Sequence, residues 1–162
     1  MNADPNAEAA KFLLDTNTVS ELMRANPIAL GNLTQRPRDE VVVPQPVVAE
    51  IEFGLALLPP GKRKKALDQR WKLFSGELLR VTWNDAVSAQ FALTKAQLRK
   101  AGSIIEDLDI AIAAHAMAWE LTLVTNNTSH FRRIKSLRLV DWTRVQPCRS
   151  SKAIRGDHAS LK

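Results

Sequence analysis

Three acidic residues, Asp15, Glu50 and Asp109, stand in apolar surroundings along the sequence. Asp15 directly follows the short apolar run at residues 12–14. Glu50 lies in a largely apolar helical pattern, and Asp109 opens a long apolar segment. A buried carboxylate without a partner is energetically expensive, so each of these residues requires a cation or a proton. Because hard divalent cations prefer carboxylate oxygens, the three acids together indicate a shared metal site.

Two of these acids also have an ordinary structural explanation. Asp15 would serve equally well as the cap of the following helix. Asp109 would compensate the dipole at the start of its own helix, a role that one acid satisfies. With Glu106 and Asp107, however, three acids occur within four residues, which exceeds that need.

Glu50 shares a stripe with Pro46, Phe53 and Leu57, at spacings of three and four residues. Residues at these spacings lie on one face of a helix. The stripe therefore predicts that the Glu50 carboxylate projects toward the core.

The elements that position these acids follow from apolar runs, turn residues and helix ends. Buried strands are predicted at residues 12–14, 41–43, 79–81 and 121–124, with an edge strand at 137–140. Helices are predicted over residues 18–24, 27–36, 45–58, 62–78, 85–100 and 108–119. Strands that alternate with helices predict an α/β fold, a three-layer α/β/α sandwich with a parallel central sheet of about four or five strands. Asp15 then lies at a strand's carboxyl end, where such sheets bind ligands.

Two of the predicted helices differ in how their apolar residues are arranged. Helix 108–119 is apolar nearly all round and should be buried. In helix 85–100 the apolar side is assigned to Val87, Phe91, Leu93, Ala96 and Leu98.

The chain has 162 residues, 45% of them hydrophobic, which suits a single domain with its own core. We expect a flexible extension at residues 1–11, the domain at 12–145, and a basic, disordered tail at 146–162. The sequence contains neither a signal peptide nor a membrane-spanning run, so a soluble, cytoplasmic protein is expected. The single cysteine, Cys148, excludes an internal disulfide.

Basic residues outnumber acidic ones by 23 to 17, giving a net charge of +6 that favours a polyanionic partner. Arg132, Arg133 and Lys135 are the candidate nucleic-acid contacts. The run at residues 62–65 is expected to be a solvated face, and the four tryptophans are expected mainly in the core.

Neither His115 nor His130 lies in an obvious acid-base pair, which disfavours a two-histidine mechanism that uses the RNA 2′-hydroxyl. His115 is assigned to the core or its rim, and His130 receives no role in activating water. A haloacid-dehalogenase phosphatase is also disfavoured, because it needs a second Asp where this chain has Asn17.

Four segments resemble the ordered motifs of PIN-domain ribonucleases, and most closely those of the VapC toxins of bacterial toxin-antitoxin pairs. The segments are Leu13-Leu14-Asp15-Thr16-Asn17, residues 48–54, residues 109–116, and Leu123-Val124-Thr125-Asn126-Asn127-Thr128. The resemblance runs from about residue 12 to residue 142 and keeps the order and spacing of the motifs.

The resemblance implies that Asp15, Glu50 and Asp109 bind Mg²⁺, with Mn²⁺ as a substitute. It implies auxiliary places for Asn17, Thr125 and Asn127, and outer positions for Glu106 and Asp107. Many relatives carry a fourth acid at the place of Asn127, and others at the place of His130, so this chain lacks the fourth carboxylate.

The function implied by the resemblance is hydrolysis of RNA, possibly tRNA, by a metal-activated water. It also implies a VapB-like antitoxin as partner and a homodimer. The alternative is a catalytically silent RNA-binding or interaction module on the same fold, although RNA binding gains nothing from buried anions.

Overall fold

A five-stranded parallel sheet forms the centre of the protein in a computed structural model that describes residues 8–145. The strands are β1 (Phe12–Leu14), β2 (Val41–Pro44), β3 (Leu79–Val81), β4 (Thr122–Val124) and β5 (Leu139–Val140). Their order is β3-β2-β1-β4-β5, and all neighbours pair in parallel. The predicted α/β sandwich is confirmed. The expectations for residues 1–7, the tail at 146–162 and Cys148 lie outside the described residues.

The helices around the sheet are α1 (Thr16–Met23), α2 (Pro27–Thr34), α3 (Gln45–Ala56), α4 (Lys62–Glu77), α5 (Asp85–Lys100), α6 (Asp107–Ala118) and α7 (Thr128–Phe131). A 3₁₀ turn at Arg38–Glu40 precedes β2. Helix α1 begins two residues earlier than predicted because Asp15 caps it, and α7 was not predicted. No helix within the described range is long and apolar enough to cross a membrane.

Strand β1 lies in the middle of the sheet, between β2 and β4. Leu13 and Leu14 are fully buried, which explains the unbroken apolar run before Asp15. The β1–β4 pairing continues past the strand, since the Asp15 amide donates to the Val124 carbonyl at 3.1 Å. Asp15 therefore emerges at the carboxyl edge of the central strand, directly beside the end of β4.

Helix α6 is buried on nearly every side, as its composition predicts. It packs against α5, whose buried residues are Val87, Thr94 and Leu98. The predicted apolar side of α5 was partly wrong, because Leu93 and Ala96 are exposed and Thr94 is buried in their place. The buried residues keep the helical spacing, so contact with α6 decides the face.

The predicted orientation of α3 was wrong. Phe53 and Leu57 are 65% and 68% exposed, and the buried side of the helix is formed by Pro46, Val47, Val48, Ile51 and Leu55. Apolar residues occur on two sides of this helix, so spacing alone did not identify the side that packs on the sheet. Glu50 consequently lies half-buried at the rim of the packed face, not pointing into the core.

The tryptophans divide into core and surface residues. Trp71 and Trp142 are buried, and Trp119 is half-buried. Trp83 is 45% exposed, which corrects its assignment to the core. The Trp142 and Phe12 ring centres are 5.3 Å apart, and the Arg36 guanidinium lies 4.4 Å from the Trp142 ring centre. The Asn32 side-chain amide donates to the Trp142 carbonyl at 3.1 Å, so Trp142 connects the end of the described chain to β1 and α2.

We expect Trp142→Ala to lower the free energy of unfolding by about 3–5 kcal/mol, because the cavity would open beside the central strand. Trp83→Ala, at a partly exposed site, should cost less than half as much. Urea unfolding of both variants measures the difference. Equal losses would contradict the assignment of Trp142 to the core.

Candidate active site

Asp15 is the most deeply buried carboxylate of the site, with 2% of its surface exposed. Its Oδ1 accepts a hydrogen bond from the Thr18 amide at 2.7 Å, and the Thr125 hydroxyl also hydrogen-bonds to it. The Thr18 hydroxyl in turn donates to the Val124 carbonyl at 2.8 Å. The helix cap and the site acid proposed from the sequence are therefore the same residue, and its donors come from α1 and from the end of β4.

Burial is the main reason that the pKa of Asp15 is raised above its ordinary value. The hydrogen bonds from Thr125 and Thr18 oppose this change, and the negative charge of Asp109 adds to it. The charge of Asp109, 94 residues further along the sequence, therefore acts on Asp15 at the carboxyl edge of the sheet.

Asp109 lies in the first turn of α6 and is half-buried. Glu106 occupies the N-cap position, and its side chain makes no capping hydrogen bond. Burial raises the pKa of Asp109, the neighbouring His130 opposes the rise, and the charge of Glu106 adds to it. The Asp109 carboxylate faces His130, with Nε2 of the imidazole 3.0 Å from Oδ2. The expectation that His130 lies in no acid-base pair was therefore wrong.

Glu50 reaches the same region through a side-chain contact. The Thr16 hydroxyl, one residue after Asp15, donates to Glu50 Oε2. Thr16 begins α1 and Glu50 lies in the middle of α3, so this bond joins the two helices beside Asp15. Thr16 holds the third acid at the rim of the site.

The auxiliary residues separate into two groups. Thr125 is fully buried, contacts Asp15, and accepts the Asn127 amide at 3.0 Å, so it belongs to the site. Asn17 is exposed on α1, and no hydrogen bond links it to the acids within the described residues. Asp107 forms an ion pair with Lys95 of α5 at 2.7 Å. Glu106 is exposed and acts on Asp109 through its charge alone.

The basic candidates Arg132, Arg133 and Lys135 are exposed and follow α7, the helix that carries His130. Exposed cations therefore lie close in sequence to a residue of the acidic site. Lys62, Arg63 and Lys65 are exposed on α4, as expected of a solvated face, whereas Lys64 is half-buried and donates to the Leu55 carbonyl.

The donor chemistry of the site fits a hard divalent cation. Two carboxylates have pKa values raised mainly by burial, and a cation between them would favour their charged forms. Within residues 8–145, however, no three His, Cys, Asp or Glu side chains form a ready group of metal ligands. Asp15 and Asp109 are the pair to which a cation would bind, and Glu50 would have to turn from Thr16 to join them.

Sequence reasoning missed Thr16, Thr18 and His130. Thr18 carried a signal, because it stands three residues after a capping Asp, where an amide commonly donates to the cap. The contacts of Thr16 and His130 bridge 34 and 21 residues, and no local spacing predicts them.

Comparisons with known proteins agree with this architecture. The PIN domain profile matches residues 12–137. Ribonuclease VapC2 of Haemophilus influenzae is 31% identical, with 82% of this chain and 98% of that protein covered. The tRNA(fMet)-specific endonuclease VapC of Shigella flexneri is 25% identical over 82% of this chain and 98% of its own length. VapBC2 from Rickettsia felis, solved bound to a DNA fragment from their promoter, superposes with a TM-score of 0.72 at 27% identity, covering 81% and 98% of the two chains.

Asp15→Asn should raise the melting temperature of the metal-free protein at neutral pH, because Asn caps a helix about as well as Asp without burying a charge. Because the pKa of Asp15 is higher in the folded protein than its ordinary value of 3.8, protonation of Asp15 stabilises the fold at pH below 3.8. This stabilisation by the protonated carboxyl group is lost as the pH rises through the pKa of the folded state. The advantage of the Asn variant should therefore disappear in acid.

Thermal unfolding with a chelator between about pH 4 and pH 8 measures this effect. Asp107→Asn is the control, since Asp107 is exposed and paired with Lys95. An Asp15→Asn protein that is less stable than the unmodified protein at neutral pH would contradict the prediction.

Proposed function

Because this chain belongs to the PIN domain family and, within it, to the VapC ribonucleases, we propose that it is a Mg²⁺-dependent endoribonuclease and the toxin of a toxin-antitoxin pair. The observation that carries the proposal is the interacting carboxylate pair of Asp15 and Asp109 at the carboxyl edge of the sheet. Glu50 stands beside this pair through its bond to Thr16. The substrate is RNA and the reaction is phosphodiester hydrolysis.

Mg²⁺, or Mn²⁺ in its place, supplies an activated water and stabilises charge on the phosphodiester oxygens when bound. The chain's own contribution is orientation. Thr18 in α1 and Thr125 after β4 both hydrogen-bond to the Asp15 carboxylate. These bonds hold the carboxylate in one orientation before any ligand binds. Thr125 also holds the Asn127 amide, which fixes the turn before α7.

A catalytically silent RNA-binding module is the alternative function, and the burial of the acids argues against it. RNA carries negative charge and is repelled by carboxylates. A buried Asp15 is costly for folding and useless for RNA binding, whereas a cation-dependent nuclease requires it. The acidic pair is therefore better explained by catalysis.

RNA would approach over the exposed cations that follow α7, Arg132, Arg133 and Lys135. These side chains would neutralise phosphates on either side of the cleaved bond. Structured RNA, with tRNA first, is the proposed substrate class, supported by the similar Shigella flexneri protein whose name states cleavage of tRNA(fMet).

A VapB-like antitoxin is the proposed protein partner, supported by the similarity to VapBC2 of Rickettsia felis. A homodimer is proposed as well. The exposed Phe53 and Leu57 of α3 support protein contacts of this kind, because large apolar side chains left in water favour burial against a partner.

Asp109→Asn should abolish Mg²⁺-dependent cleavage while the protein stays folded. Loss of an anionic ligand should cost more than the roughly 10–100-fold that typically follows changes outside the ligand shell. Asp107→Asn is a matched control two residues away, because its carboxylate pairs with Lys95. The measurement is cleavage of tRNA and whole-cell RNA with Mg²⁺ and with a chelator, alongside thermal unfolding.

Near-normal turnover by a folded Asp109→Asn protein would remove Asp109 from the site. Cleavage that persists in the chelator would contradict metal dependence. If expression of the active protein without an antitoxin leaves cells unharmed, the toxin assignment fails and a housekeeping nuclease takes its place.

The double change Arg133→Ser and Lys135→Ser, made in the inactive Asp109→Asn protein, should weaken RNA binding at low salt. The slope of log affinity against log salt should fall by about one to two, because each lost phosphate contact removes about 0.7 from it for single strands. Lys62→Ser with Lys65→Ser removes two exposed cations of α4 and serves as the control. Equal effects of the two double changes would show that only total charge matters.

A further inference from the structure

Trp83 presents an aromatic face to solvent at the carboxyl edge of the sheet. It follows β3 by two residues and is 45% exposed. Its sequence neighbours Thr82, Asp85 and Ala86 are exposed and small or polar, so the indole is the one large apolar side chain of this turn. Protein interfaces usually require a contiguous apolar surface, whereas one exposed ring is enough to bind a single planar group.

The indole ring is held in one orientation from behind. Its Nε1 atom donates to the Ser88 hydroxyl at 2.7 Å, so the only polar atom of the ring is already satisfied. The ring centre lies 5.8 Å from that of Phe91 and 5.2 Å from that of the buried His115, which stands at 84° to the indole. The exposed surface of the ring therefore offers stacking on its π face and no hydrogen bond.

The register of the sheet places Trp83 beside the acidic pair. Leu13 of β1 and Leu79 of β3 pair with the same residue of β2, the strand between them. Asp15 and Val81, two residues further along, are therefore level with each other. Adjacent strands lie roughly 4.8 Å apart, so the ends of β1 and β3 are separated by about 10 Å. Trp83 thus lies on the edge that carries Asp15, two strands away.

A series of side-chain contacts also leads from Trp83 to the start of α6. Lys95 Nζ lies 5.4 Å from the centre of the Phe91 ring, which Trp83 contacts. The same ammonium group pairs with Asp107 at 2.7 Å, two residues before Asp109. Lys95 thus places a positive charge between Trp83 and the acidic pair. A phosphate on the way from the acidic pair to Trp83 would meet this cation.

The candidate contacts for a nucleic acid then lie on both sides of the acidic pair. Strand β4 and α7 lie on one side of β1, and the exposed cations Arg132, Arg133 and Lys135 follow α7. Strands β2 and β3 lie on the other side, where Trp83 is exposed. A single strand that crosses this edge over Asp15 would meet cations at one end and an aromatic face at the other. Cations combined with stacking rings are the usual means of holding single-stranded nucleic acids.

We propose that Trp83 stacks on one unpaired base of the RNA substrate, an inference that rests on the proposed function. Because every base has a π face, this contact does not depend on which base is present. It does require that the base is free of a partner strand. The site therefore selects RNA with an unpaired nucleotide on the β3 side of the cleaved bond, as in the loops and ends of structured RNA.

The test measures RNA binding by the full chain carrying Asp109→Asn, the parent protein in which cleavage is expected to be lost. One probe is a labelled mixed-sequence RNA of about 8 nucleotides, within the length that stacking sites cover. The other is an abasic strand of the same length, which keeps the phosphates and lacks the bases. The added variants are Trp83→Leu, Trp83→Phe and, as control, Leu93→Ala, which changes a 54% exposed apolar residue of α5.

Trp83→Leu should weaken binding of the RNA by about 5- to 150-fold, the loss expected for one stacked base. It should leave the affinity for the abasic strand and the salt dependence unchanged, because no phosphate contact is removed. Trp83→Phe keeps an aromatic face and should retain most of the affinity, and Leu93→Ala should bind like the parent protein.

Tryptophan fluorescence gives a second measurement that does not depend on how Trp83→Leu folds. RNA should quench the emission of the parent protein, and Trp83→Phe should lack this quenching, because the remaining tryptophans are less exposed. Thermal unfolding shows which variants are folded. Binding of RNA without any quenching of the parent protein would refute the stacking contact.

Equal affinity of Trp83→Leu and the parent protein for the RNA would overturn the proposal and leave the proposed function intact. Equal losses for the RNA and the abasic strand would do the same, because the change would then act on the fold and not on a base. A changed oligomeric state with unaltered RNA affinity would assign Trp83 to a protein interface instead. A parent protein that binds neither strand would overturn both this inference and the proposed function.

Discussion

The charge of Asp15, held at the end of the central strand, is the constraint on which the rest of the site depends. A carboxylate with 2% exposure is tolerated only if donors surround it. The donors available are the Thr18 amide at the start of α1 and the Thr125 hydroxyl after β4. Satisfying one charge therefore ties a helix and a neighbouring strand end together. The remaining desolvation keeps the pKa of Asp15 high, so the folded protein retains an affinity for positive charge at this point.

The first turn of α6 illustrates how neighbouring acids acquire different roles. Asp107 and Asp109 are two residues apart, and successive helical residues are rotated by about 100°, so the two carboxylates point to opposite sides. One meets Lys95 of α5 at the surface, and the other meets His130 and the charge of Asp15. Spacing alone does not distinguish the three acids in four residues, although the family resemblance assigns the metal to Asp109. The packed fold shows what each side chain faces, which spacing does not supply.

Apolar patterning predicted the sheet, the order of helices and strands, and the strand end at which Asp15 lies. It failed where a helix has apolar residues on more than one side. On α3, the face containing Val47, Ile51 and Leu55 packs, while Phe53 and Leu57 remain in water. Both faces have helical spacing, so contact with the neighbouring elements decides between them. Because the other face of α3 packs on the sheet, Glu50 lies at the rim of the packed face and not in the core as predicted. There the Thr16 hydroxyl donates to its carboxylate.

The absence of a fourth acid is consistent with the electrostatics of the remaining residues. The negative charge of Asp109 adds to the raised pKa of Asp15, and the charge of Glu106 adds to the raised pKa of Asp109. A carboxylate at position 130, held 3.0 Å from Asp109, would make the metal-free site still harder to ionise. An imidazole there has the opposite effect, because His130 lowers the pKa that burial raises in Asp109. A histidine at this position thus limits the negative charge that the fold must bury beside Asp109.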